Sequence, residues 1–208
     1  MKMLQNIILD IGNVICEWNP GKLGASVFND PEKISEIIQD TAGHADWLAL
    51  DRGTLELEEA IARAQQRSRL DPESVRKVYE NLPRSLSEIV TTTAAMRRAS
   101  AANVPMYILS NMHRHSWHYL EAHHECFALC TGVVVSCDTG HIKPEEGIYR
   151  YLFETFSLNP ESCVFIDDMP ENIEAAQALG MQGHVLENLE DGGPLIDKLI
   201  EQISGKPT

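Results

Sequence analysis

Residues 7–14 read IILDIGNV, a short β-branched apolar run that ends at Asp10. Such a run reads as a strand, and comparable ones occur at residues 106–109, 133–135, 164–166 and 184–186. Between most of them the apolar spacing lengthens into helix-like stretches, at residues 86–102, 113–122, 144–156 and 170–179, with Gly180 placed as a residue just past a helix end. This alternation predicts an α/β fold built on a parallel, doubly wound sheet. In such sheets ligands sit outside the carboxyl ends of the strands, where the strand order reverses. Asp10, Ser110 and the pair Asp167-Asp168 each end a strand. If the first, second and fourth strands are neighbours these side chains converge, and Lys143 joins them from the loop before the next helix.

Roughly 90 residues separate the first two strands, far more than a βαβ crossover needs. They are expected to form a helical cap. Within it PEKISEIIQD (31–40) reads as an amphipathic helix, TLELEEAIARAQQRSRL (54–70) as a second with Thr54 before its acidic first turn, and DPESVRKVYENL (71–82) as a third begun by Asp71 and Pro72. The expected division is a core of residues 1–15 and about 90–208, with a cap of about 16–89.

The chain has 208 residues and a formal net charge of -14, which disfavours a nucleic-acid backbone as partner; no Lys/Arg-rich run offers a local exception. The same charge requires that an anionic substrate meet locally arranged cations. Five cysteines without a CxxC pair point to reduced thiols. The opening MKMLQNIILD reaches an acidic residue too soon for a signal peptide, and no later run is long enough to span a membrane. A cytoplasmic protein is expected, with self-association into a homo-oligomer left open.

A carboxylate can attack phosphorus and form an acyl phosphate, which makes Asp10 the candidate nucleophile. Attack of an anion on an anion calls for a divalent cation bridging Asp10 and the phosphate, with Asp168 and the Gly12 carbonyl as further ligands. Magnesium suits such an oxygen-only site. Asp167 is a metal candidate too, either directly or through metal-bound water or Lys143, and Asn172 a polar support. Ser110 and the backbone N–H of Asn111 can hold the transferring phosphoryl oxygens, while Lys143 opposes charge in the transition state.

This order of Asp, Ser, Lys and acidic pair resembles the haloacid dehalogenase superfamily over nearly the whole chain. More closely, DIGNV (10–14), LSN (109–111), KPE-x-x-IY (143–149) and DD-x-x-x-NIEAA (167–176), with DRG (51–53) in the cap, are similar to bacterial hexose-1-phosphate phosphatases, including those for α-D-glucose 1-phosphate. The phosphatase domain of soluble epoxide hydrolases is a more distant likeness. The resemblance implies a Rossmann-like core, a helical cap and magnesium-dependent hydrolysis of phosphate monoesters.

Typical family phosphatases carry at position 12 an Asp that protonates the leaving oxygen; this chain has Gly12. Either another group replaces it, such as His113 as a substrate-binding side chain or an ordered water, or the leaving group needs less protonation. An anomeric sugar phosphate meets the second condition. Two alternatives keep the motif: a 2-haloacid dehalogenase, which needs no metal, and a non-catalytic phosphosugar-binding regulatory protein. His113, His115, His118, His123 and His124 lack a carboxylate or cysteine to complete a zinc site, and read as helix-face residues of which only His113 lies near Asn111. Trp18 and Trp47 read as core, or as the wall of the cap's entrance.

Overall fold

Strands β1 (Asn6–Leu9), β2 (Met106–Ser110), β3 (Gly132–Val135), β4 (Cys163–Asp167) and β5 (Gln182–Val185) pair in parallel in the order β3-β2-β1-β4-β5. The structure, a computed structural model, describes residues 3–205; residues 1–2 and 206–208 of the expected core lie outside them. Alternation along each strand sends side chains to two separate cores. Ile7, Leu9, Met106, Ile108, Val164 and Ile166 enter one, and Ile8, Tyr107, Leu109, Cys163 and Phe165 the other. Both faces are covered, which is why these strands read as unbroken apolar runs.

The segment after β1 contains α1 (Pro20–Ala25), α2 (Pro31–Asp40), α3 (Ala45–Asp51), α4 (Leu57–Arg67) and α5 (Pro72–Ser85). They close around their own cluster, which includes Leu23, Ile37, Leu50, Ile61, Val78 and Leu82. This is the inserted helical cap. Asn19, Asp30 and Asp71 cap α1, α2 and α5, each directly before a proline that opens the helix. In the core, α6 (Val90–Ala101), α7 (Arg114–His123) and α11 (Gly192–Ser204) cover the first sheet face. On the second lie α9 (Glu146–Phe156) and α10 (Pro170–Ala178), while the short α8 (Ser136–Thr139) follows β3.

Several boundaries differ from those read in the sequence, each for a local reason. The edge strand begins at Gln182 rather than residue 184, because the polar Gln182 and the side-chain-free Gly183 pair with Val164 and Phe165. Helix α6 begins at Val90 rather than residue 86, since the chain leaving the cap first pairs back on β1's exit: Ile89 N donates to Ile15 O and Glu17 N to Ser87 O. Thr54 does not cap α4; its hydroxyl donates to Ala49 O, and the cap position is Glu56. Helices α1, α3, α8 and α11 carried no clear signal; α11 rests on α6 through Gly192 and Gly193, which approach Thr92 and Thr91 closely. Gly180 lies just past α10 with φ 97°, as expected.

Candidate active site

The order β3-β2-β1-β4-β5 puts β1 between β2 and β4, so Asp10, Ser110 and Asp167 meet at the point where the winding reverses. Asp10 and Ser110 open on a cavity of about 230 Å³ lined also by Gly12, Asn111, Lys143 and Asp168 from the core and by Trp18, Trp47 and Asp51 from the cap segment, with Asp167 buried behind it. Of the residues predicted for the site, all but Asp167 line this cavity, His113 among them.

Lys143 holds the centre. Its side chain is buried, and Nζ lies 2.8 Å from Asp10 Oδ1 and donates to Asp167 Oδ2 at 2.6 Å. Burial works against its charge, but Asp10 and Asp167 outweigh that and keep the ammonium above its ordinary pKa. Burial pushes the Asp10 carboxyl up to about 6 and Asp167 adds to this, against the pull of Lys143 and of the Ser110 hydroxyl. Ile11 N also donates to Asp10 Oδ1 at 2.7 Å, fixing the carboxylate just beyond β1.

Asp167, fully buried, is saturated by protein donors. Met169 N and Asn172 Nδ2 donate to Oδ1, and Asn172 Nδ2 and Lys143 Nζ to Oδ2. Its geometry is that of an anchor for Lys143. Asp168 is half-buried and accepts from Asn13 Nδ2 at 2.9 Å; burial raises its pKa. Oxygen atoms of Asp10, Asp167 and Asp168 lie within 4.8 Å of one another, the group among the described residues that could hold a metal ion. The Asn111 side chain is committed elsewhere: Oδ1 accepts from Lys143 N at 2.7 Å and Nδ2 donates to Lys143 O at 3.0 Å. It clamps the lysine loop.

His113 caps α7, accepting from Ser116 N, and its Nε2 lies 3.1 Å from the Ser116 hydroxyl. Burial pushes its pKa down to about 3, so the ring is neutral at physiological pH. Trp47 stacks on Trp18 with centroids 5.6 Å apart and meets His113 edge-on, giving the cavity an aromatic wall.

Across the cavity the tripeptide Asp51-Arg52-Gly53 docks the cap onto the core. Ser136 Oγ donates to Asp51 O at 2.6 Å, and the Arg52 guanidinium donates to both oxygens of Glu145 at 2.7 and 2.6 Å, two residues past Lys143.

Residues 5–180 match the family described as haloacid dehalogenase-like hydrolase. The chain belongs to that family. It is 24% identical to sesquiterpene phosphatase astK of Aspergillus oryzae over 183 residues, 88% of this chain and 90% of that protein. Its fold is similar to that of a hydrolase of the same superfamily from Porphyromonas gingivalis, with a TM-score of 0.74 and 24% identity over 96% of this chain and 98% of the other. It is also similar to a superfamily enzyme from Bacteroides thetaiotaomicron in complex with magnesium and inorganic phosphate, with a TM-score of 0.67 and 16% identity over 88% and 93%.

In this haloacid dehalogenase-like hydrolase, sequence reading missed Asn13 and the placement of Asp51. Asn13 adopts φ 54°, a left-handed conformation in which its amide both accepts from Trp18 N and donates to Asp168. An Asn following Gly12 was the available signal. Gly53 is required by its surroundings: φ is 77°, and a Cβ would stand 2.4 Å from Cys137 O. Gly53→Ala is therefore expected to push the cap from the core, lowering stability by about 1–3 kcal/mol and kcat/KM by more than about tenfold. Thermal unfolding and turnover of the variant check both effects.

Proposed function

We propose that this chain is a magnesium-dependent phosphatase that hydrolyses small phosphate monoesters through an aspartyl-phosphate at Asp10. The observation that carries the reading is the buried Asp10 carboxylate at a strand end, fixed by Lys143 and Ile11 N, beside a cluster of acidic oxygens. The donor set fits magnesium: it consists of hard carboxylate oxygens, and three carboxylates face one ammonium, leaving surplus negative charge. Asp10, Asp168 and the Gly12 carbonyl would hold the ion, with Asp167 acting chiefly through Lys143. Bound there, magnesium supplies the positive charge that lets an anionic nucleophile approach a phosphate.

The protein's own groups do the rest. Asp10 attacks phosphorus, Ser110 and the Asn111 N–H hold the phosphoryl oxygens, and Lys143 opposes the charge that develops on them. Asn111, Asp167 and Asn172 keep Lys143 in place. The proposed substrate is a sugar phosphate, a hexose 1-phosphate in its most specific form, since the stacked Trp18 and Trp47 offer a flat apolar face beside polar groups. A second reading, a terpenoid monophosphate, is favoured by the similarity to a sesquiterpene phosphatase and by Leu82, Leu86 and Met112 in the same wall. The division into core (1–15 and about 90–208) and cap (about 16–89), and a cytoplasmic location, belong to the same proposal. Among the described residues no helix is long and apolar enough to cross a membrane.

A panel of hexose 1-phosphates, hexose 6-phosphates, prenyl monophosphates and 4-nitrophenyl phosphate, with release of inorganic phosphate followed, tests the reading. Turnover is expected with magnesium, with loss of more than about 100-fold on chelation and recovery when the ion is restored. Absence of turnover for every ester would sink the proposal, and metal-independent release of halide from a 2-haloacid would replace it with the dehalogenase reading.

A further inference from the structure

Gly12 has no side chain to serve as a proton donor, although a Cβ there would meet only Trp18 Cβ, at an ordinary contact distance of 3.7 Å. The cap presents a carboxyl to the same cavity. Asp51 is the last residue of α3, is 8% exposed and lines the cavity together with Asp10, Gly12 and Lys143. Its position is set by the core as well as by its own helix, through Ser136 Oγ on its carbonyl, the His113 N–H on its carboxyl and Gly53 against Cys137. A carboxylate is disfavoured there by desolvation, and the carboxyl-terminal pole of a helix adds to the effect.

We propose that Asp51 is the general acid and base of the reaction, delivering from the cap the proton that Gly12 cannot supply. The inference rests on the phosphatase reading and deepens it. In the first half-reaction Asp10 Oδ bonds to phosphorus, the P–O bond to the alcohol breaks, and the leaving oxygen takes its electron pair and the Asp51 proton. In the second, a water oxygen bonds to phosphorus, its proton passes to Asp51, and the bond between phosphorus and Asp10 breaks with its electron pair returning to the carboxylate. Alcohol and inorganic phosphate leave, and Asp51 is protonated again. Burial places the Asp51 carboxyl at about 7, so both forms are present near neutrality, as a group acting in both directions requires. The charged and titratable groups around it are Asp10 beyond β1, Lys143 and Asp168 across the cavity, His113 before α7 and Cys137 on α8; burial holds His113 down at about 3 and Cys137 up at about 11, Lys143 stays charged, and Asp10, at about 6, acts on both esters alike. With a proton supplied from the cap, the substrate no longer needs an anomeric leaving group.

The test compares the magnesium-loaded enzyme on 4-nitrophenyl phosphate, whose leaving group needs no proton, with the alkyl ester from the panel that it hydrolyses fastest. Single-turnover phosphorylation of Asp51→Asn is expected to fall by about 10²–10⁴-fold for the alkyl ester and by less than about tenfold for the aryl ester. Equal losses for the two esters, or no loss for the alkyl ester, overturn the role of Asp51 while the phosphatase reading stands. A wild-type enzyme that hydrolyses the aryl ester and no alkyl ester overturns it as well; only failure on every ester removes the phosphatase reading itself. Should Asp51→Asn not fold, the wild-type pH profiles decide. Phosphorylation by the alkyl ester should decline above about pH 7 relative to the aryl ester, and parallel profiles refute the assignment.

Discussion

Asp10→Asn is expected to lower kcat by about 10⁴-fold or more for every phosphate ester tested, with the fold retained. The amide has no anionic oxygen to offer phosphorus, so the acyl phosphate cannot form, whatever the leaving group. That separates it from Asp51→Asn, whose effect should depend on the leaving group. The fold should survive because the substitution preserves shape, and an amide oxygen can still accept from Ile11 N. Removing one of the two carboxylates that flank Lys143 also leaves Asp167 to compensate the ammonium. Turnover, phosphoenzyme trapping and thermal unfolding measured side by side check the prediction, and near-native activity would show that Asp10 is not the nucleophile.

Lys143→Met is expected to lose stability and activity together. The side chain is 1% exposed and stands between two buried carboxylates, so its removal leaves Asp10 and Asp167 facing one another without a counter-charge. Breaking a buried ion pair in this way costs about 3–5 kcal/mol. Turnover should fall by roughly a further 10²–10³-fold beyond any loss of folded protein, since the charge opposing the transferring phosphoryl group is gone. The sign for Asp10 is also defined: without the pull of Lys143 its carboxyl moves further up, and less of the nucleophilic carboxylate is present at neutral pH. Urea unfolding with and without magnesium measures the first effect, and kcat corrected for folded fraction the second. Added magnesium should recover part of the stability, because a cation on Asp10 and Asp168 neutralises the same surplus of charge.

The two losses point to one feature of the site. Asp10 and Asp167 end adjacent strands, Lys143 is inserted between them, and Asn111 holds the lysine loop by two hydrogen bonds to its backbone. The tripeptide 51–53 then ties the cap to that loop, since Arg52 pairs with Glu145. Closing the cavity and positioning the lysine are thus parts of one construction.

Much of this was legible in the chain. Apolar strands buried on both faces carry a strong, local signal, and residues at their carboxyl ends must gather wherever the strands are neighbours. Asp10, Ser110, Asp167 and Asp168 were read as strand-end residues that way, and the length and periodicity of the insertion gave three of its helices. Signals failed where packing rather than pattern sets the structure. Gln182 and Gly183 are strand residues because β4 offers them a partner, α11 forms against α6, and residues 86–89 are held extended by pairing with the exit of β1.

By itself the sequence determined that a carboxylate, a hydroxyl and an acidic pair end strands of a parallel sheet, with an ammonium in a loop and a helical insertion after the first strand. The strand order β3-β2-β1-β4-β5, which makes the first, second and fourth strands neighbours, came from the tertiary pairing. Only the tertiary structure decided that Asp167 serves Lys143, that Asn13 turns left-handed to hold Asp168, and that Asp51 enters the cavity near Gly12. Those placements depend on contacts between residues as many as 155 positions apart, and on how deeply packing removes each carboxyl from water. Neither quantity can be read from neighbours along the chain.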